Sequence, residues 1–146
     1  MRSCRLAIVI ALASILLVPA PKPALAQSQG VIVTVNDFPI TRFDIEQRIR
    51  LLQILGNNVS SSQDTRRKAL RAMVDEVIQI DEAKRFKANP TEREVDQQID
   101  RMAKDLKTDY KGLEGKLNKQ GIAMTALRQY VTAQISFNRI LVGKYK

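Results

Sequence analysis

The sequence predicts a mainly α-helical domain in which a short N-terminal β-hairpin leads into about five helices packed as an orthogonal bundle. Three observations carry that expectation. Residues 31–35 alternate apolar and small side chains up to Asn36 and Asp37, then turn through Phe38, Pro39 and Ile40, the pattern of a two-stranded hairpin. Apolar residues after Thr41 recur at three- and four-residue spacing with charges between them. The breaks between those periodic stretches carry helix stop signals, at Gly56, at Asn89 and Pro90, and at Gly121.

Residues 1–26 are set apart from that domain. Arg2 and Arg5 precede an apolar run from Leu6 to Val18, and Pro19, Pro21 and Pro23 stand ahead of Ala24, Leu25 and Ala26. That order of charge, apolar run and small residues is the pattern of a secretory signal peptide, and the run is short of the roughly 20 apolar residues a membrane span requires. Cleavage after Ala26 leaves a mature domain of residues 27–146, and the single cysteine, Cys4, goes with the leader.

In the mature part, Thr41 is placed to cap the first helix with Asp44 answering three residues later, and Ile45, Ile49 and Leu52 mark its inner face. The polar stretch 57–63 reads as a loop. A second helix is expected over about 65–87, capped by Asp64, with Leu70, Met73, Val74, Val77, Ile78 and Ala83 on its apolar face. Arg71 with Asp75, and Asp81 with Arg85, have the spacing of ion pairs on its surface. Thr91 and Glu94 form a capping box for a third helix whose stripe is Val95, Ile99, Met102 and Leu106. A shorter helix over 110–120 repeats Leu113 and Leu117 but contains Gly112 and Gly115, each costing about 1 kcal/mol against alanine. The last helix, over about 124–144, has a face wider than a surface helix needs: Leu127, Val131 and Ile135 are flanked by Tyr130, Phe137, Ile140, Leu141 and Val142. Such width predicts burial against more than one neighbour, or an uncovered patch.

Composition narrows the function. Three of the 24 basic residues and none of the 15 acidic ones fall in the leader, which leaves 21 against 15 and a net charge of +6. The chain has no histidine, and the mature part no cysteine, which removes the commonest general base, the commonest transition-metal ligand and the thiolate nucleophile. Asp75 beside Glu76, and Asp81 beside Glu82, are adjacent carboxylates, but helix neighbours diverge by about 100° and do not converge on one reacting atom. No nucleotide-binding glycine pattern, nucleophile elbow or zinc-protease motif occurs. These features point away from catalysis and from any cofactor or metal. Basic residues are interspersed with acids in most helices, so the charge fits loose attraction to acidic polypeptides, or at most peripheral membrane contact, better than a nucleic-acid track.

Taken in order, the motifs resemble the N-terminal domain of SurA-type periplasmic chaperones. The family opens with V-N-x-x-P-I-T-x-x-D, matched here by Asn36, Pro39, Ile40, Thr41 and Asp44. Its A-L-x-x-L-I-D-E helix is matched by Ala69, Leu70, Val74, Asp75 and Glu76, with Glu82 and Ala83 further on, and its P-T-x-x-E-V cap by Pro90, Thr91, Glu94 and Val95. The resemblance implies a helical domain, similar to the trigger-factor C-terminus, that holds unfolded outer-membrane proteins in the periplasm. Catalytic residues do not carry over, because in that family they belong to parvulin-type prolyl isomerase domains that follow this one.

On that resemblance an uncovered apolar surface through Val33, Phe43, Leu127, Val131 and Phe137 is the expected contact for a client peptide or for a second copy in a homodimer. Arg66, Arg67 and Lys68 are the expected basic rim. Two other readings stay open: an isomerase-family protein working with a catalytic domain on another chain, and a basic structural protein that binds the envelope.

Overall fold

The computed structural model describes residues 30–144. The expected leader lies outside the described residues. Two strands, β1 (Val31–Val35) and β2 (Phe38–Thr41), precede five helices: α1 (Arg42–Ile54), α2 (Gln63–Arg85), α3 (Glu92–Asp105), α4 (Tyr110–Lys119) and α5 (Met124–Lys144). Element order and type are those the sequence predicts.

The strands pair antiparallel through a two-residue turn. Asn36 and Asp37 both have positive φ, 46° and 65°, the twist that lets a tight turn match the flanking strands. Ile32 has no partner on β2, because the register shifts between Val31 and Val33 to form a bulge. The chain enters α1 directly from β2. The Thr41 hydroxyl accepts from the Asp44 N–H at 3.2 Å while the Asp44 carboxylate accepts from the Thr41 N–H at 2.8 Å, so the capping box is complete although its acid is one carbon shorter than usual. The second expected box forms too: Glu94 accepts from the Thr91 N–H at 2.7 Å.

At the start of α2 the structure corrects the expectation. Ser62, not Asp64, is the N-cap, its hydroxyl accepting from the Thr65 N–H at 3.1 Å. Asp64 therefore lies inside the first turn, where a carboxylate suits the positive helix end, and it pairs with Lys68 at 2.7 Å. The ion pairs of α2 are also different ones. Asp81 pairs with Lys84 and Glu82 with Arg85, both at 3.1 Å, in place of the expected Arg71–Asp75 and Asp81–Arg85 pairs. Asp81 instead also takes the Asn36 amide at 2.9 Å, pinning the hairpin tip to α2.

Four helices end in one way. After α1, α2, α3 and α4, an N–H two residues past the cap bonds back to a carbonyl five residues earlier: Asn57 to Leu52, Ala88 to Ala83, Thr108 to Ala103 and Ile122 to Leu117, all at 2.8 to 3.0 Å. The residue between must take a left-handed conformation. Gly56 and Gly121 do so freely, but at the other two ends the position is filled by Lys87 and Lys107, each with φ 54°. In α4, Gly112 is required rather than merely tolerated. A Cβ there would run into the Thr108 hydroxyl and lie 2.9 Å from the Asp109 carboxylate that caps the helix.

The apolar side chains gather into two clusters. One joins Leu51 at the end of α1 to Val95, Ile99 and Ala103 of α3, Leu113 and Leu117 of α4, Ile122, and Leu127 and Val131 of α5. The other joins Ile40 of the hairpin to Ile45 and Ile49 of α1 and to Ala69, Met73 and Val77 of α2, with Val33 and Val35 packed on its edge. Helix α5 touches every other helix, and its broadest contact is with α2. Met73 shares a cavity with Thr125 and Ala126, while Phe86 shares one with Ile140 and Gly143, so α2 and α5 run side by side in the same direction.

Candidate functional site

Where the clusters meet, three charged or polar side chains are buried. Arg48 of α1, 3% exposed, forms a two-pronged pair with Glu76 of α2, 9% exposed, and its guanidinium lies 4.8 Å from the centre of the Tyr130 ring on α5. A fork on a carboxylate with a ring on its face satisfies most of what a buried arginine demands. Only its Nε has no partner among the described residues. Gln47, next to it, accepts from the Ala123 N–H at 2.7 Å and so supplies from α1 the acceptor that the first turn of α5 needs. This network is a joint between three helices. Both oxygens of its carboxylate are engaged by the arginine.

Arginines on α5 make two further ties. Arg128 pairs with Glu92 and Asp96 of α3, and these carboxylates hold its proton more firmly than usual. Arg139 pairs with Glu94 and donates to the Asn89 carbonyl at 3.1 Å, fixing the turn before α3 against the end of α5. Bonds from the Thr91 backbone and hydroxyl, with Arg139 added, hold the Glu94 carboxyl down to about 2. Asp81 is lowered by the Asn36 amide and by Lys84, and Asp64 by Lys68.

Beyond Arg139 the seam between α2 and α5 opens into a groove of about 530 Å³, lined by Glu82, Phe86, Ala88, Arg139, Ile140 and Gly143. Phe86 is 67% exposed. Ile78, Glu82 and Phe86 repeat at four on α2, so the exposed Ile78 continues the same face away from the groove. Phe137, Leu141 and Val142 stand exposed on the last turns of α5. A second hollow, of about 380 Å³, lies between the hairpin tip at Asn36 and Phe38, Ile80 and Lys84 of α2, and Gln129 and Thr132 of α5.

The sequence-predicted surface is divided by the structure. Leu127 and Val131 are 0% exposed, inside the cluster with α3 and α4, and are corrected from contact surface to core. Their periodicity was real, but it faces helices of the same chain. Val33 is half-buried against Ile40 and its neighbours, leaving little to offer a partner. Phe43, in the first turn of α1, and Phe137 are exposed as a contact surface requires. Of the expected basic rim, Arg66 is tied to Glu46 and Lys68 to Asp64, and Arg67 is exposed. All three lie at the N-terminal end of α2, on the order of 25 Å along the helix from Phe86. They do not rim the groove; Arg85, Lys87 and Arg139 are nearer to it in sequence. Phe86 and Ile78 are the side chains that sequence reasoning missed or misplaced, Ile78 having been assigned to the inner face.

No group of His, Cys, Asp or Glu among the described residues is arranged to hold a metal ion, and none of the described helices is long and apolar enough to cross a membrane. The site can offer apolar contact, flanking charge and backbone hydrogen bonds. No curated protein and no solved structure matches the chain. A profile of the SurA-like N-terminal domain matches residues 1–141, nearly the full length, a coverage that agrees with the hairpin, the two capping boxes and the five helices: the chain belongs to the SurA-like N-terminal domain family.

Proposed function

We propose that this chain is a non-catalytic holdase of the periplasm, which keeps unfolded outer-membrane proteins from aggregating by taking their apolar side chains into the groove between the ends of α2 and α5. Membership of the family suggests a chaperone-type function. The observation that carries the more specific reading is the groove itself, with Phe86 largely in water beside Ile140. Exposed apolar surface concentrated at a groove is the signature of a binding site. Burying one large client side chain there yields about 1.5–3 kcal/mol, weaker than millimolar by itself, so capture needs several such contacts at once and stays reversible. A holdase requires that balance. Export to the periplasm fits the leader pattern of residues 1–26.

The test is light scattering of a urea-denatured outer-membrane β-barrel protein diluted into buffer with the purified domain. Substoichiometric to equimolar domain should delay aggregation, and Phe86→Ser with Ile140→Ser should abolish most of the delay. A delay that survives both substitutions but vanishes at high salt would transfer the activity to the basic surface and sink the groove reading. Proline isomerisation in a short peptide should proceed at its uncatalysed rate.

A further inference from the structure

The two outer edges of the hairpin are not equivalent. A two-residue turn makes Val35 and Phe38 the first hydrogen-bonded pair, so the next pair, Thr34 and Pro39, turns its backbone polar groups outward. On β2 that outward position is a proline, and the edge lacks its donor. On β1 it is Thr34, which is exposed and receives no backbone partner from a helix or loop among the described residues. One step along, the bulge residue Ile32 is opposed by nothing on β2. Val31 and Ile32 are 56% and 45% exposed, and β1 carries neither a lysine nor a proline, the usual guards of an open edge.

We propose that the outer edge of β1 is a second client site, at which an extended polypeptide segment adds as a third strand through main-chain hydrogen bonds to Thr34, with the exposed Ile32 beside it as an apolar contact. The source of the ligand rests on the holdase reading, but the atoms used are separate from the groove. Exposed strand groups left to water are matched in spacing by another extended backbone, and such pairing is nearly indifferent to sequence, as a binder of many unfolded chains needs. A second copy is the poorer occupant. The edge is five residues long, about 17 Å, and two such edges paired would bury far less than the ~1,200 Å² of a stable specific dimer.

The probe is a soluble decapeptide of alternating valine and threonine with terminal aspartates, added to the intact domain. With the peptide bound, the Thr34 amide should exchange with solvent about tenfold more slowly. Thr34→Pro should weaken the peptide about fivefold while the fold persists, since Pro39 already occupies the matching outward position on β2. Should that variant not fold, Ile32→Lys reads the same loss through a charge on an exposed edge residue. Unchanged exchange at Thr34 with peptide bound, or no binding of the peptide at all, overturns the inference. Slowing that follows protein concentration without peptide assigns the edge to a second copy and overturns the stated occupant. Phe86→Ser should leave the Thr34 protection intact, so the groove and the edge fail separately.

Discussion

The half of the molecule built on α3, α4 and the first turns of α5 is closed, whereas the half built on the hairpin, α2 and the end of α5 is open. In the closed half Ile99, Leu113, Leu117, Leu127 and Val131 are all 0% exposed, and no large apolar side chain of α3 or α4 is left in water. The exposed ones, Val31, Ile32, Phe38, Ile78, Phe86, Phe137, Leu141 and Val142, belong to the other half, joined by Phe43 in the first turn of α1 next to the hairpin. The closed half holds the fold together, and the open half retains apolar surface that packing could have used. Between them lies the Arg48–Glu76–Tyr130 joint, through which the open half is held in place.

The largest expected effect comes from that joint. Glu76→Gln removes the charge facing a buried arginine and should cost about 3–5 kcal/mol in urea unfolding, while the double change Arg48→Met with Glu76→Leu should recover most of the loss. Recovery would identify the penalty as stranded charge rather than lost packing. Next, Leu127→Ala in the closed half should cost about 2–5 kcal/mol, against no more than about 0.5 kcal/mol for Phe86→Ser in the open half, although only the latter should impair holding of unfolded protein. Equal costs would erase the distinction between the halves. Smaller again, Lys87→Gly and Lys107→Gly should each stabilise by about 1 kcal/mol, read from the shift in denaturant midpoint, because glycine takes φ 54° without a Cβ penalty.

The smallest effect is one of pH. Glu94 is held at about 2 against an ordinary 4.5, so the unfolded chain takes up its proton first as pH falls. Its contribution to stability should be complete above pH 4.5 and fade between 4.5 and about 2, and Glu94→Gln should flatten the acid limb of a stability profile over that window.

What the sequence made legible was local. Thr41 with Asp44 and Thr91 with Glu94 act across three residues, so their boxes could be read from spacing alone. The ends at Gly56 and Gly121 were legible for the same reason, and the end of the second helix from Asn89 and Pro90, while the left-handed positions at Lys87 and Lys107 were hidden because the residue there is chosen against its own conformational preference. Periodicity showed that Leu127 and Val131 share a face but not which neighbour covers it, and so core was taken for surface. Arg48 and Glu76 are separated by 28 residues, and no local signal marks either as buried. Phe86 falls at the C-cap of α2, one residue beyond the helix proper, and the apolar face read from spacing stopped at Ala83.

Gln47 and Arg48 on α1 complete their bonds only with residues that follow them by about 75 to 80 positions, at Ala123 and Tyr130. A chain made N-terminus first presents its hairpin and first four helices before the strut that joins them. Until α5 arrives, α1 keeps an unmatched guanidinium face and the cluster around Ile99, Leu113 and Leu117 lacks the wall that Leu127 and Val131 supply, so closure waits for α5. The order of residues along the chain thereby makes the closing of the domain a late, long-range step.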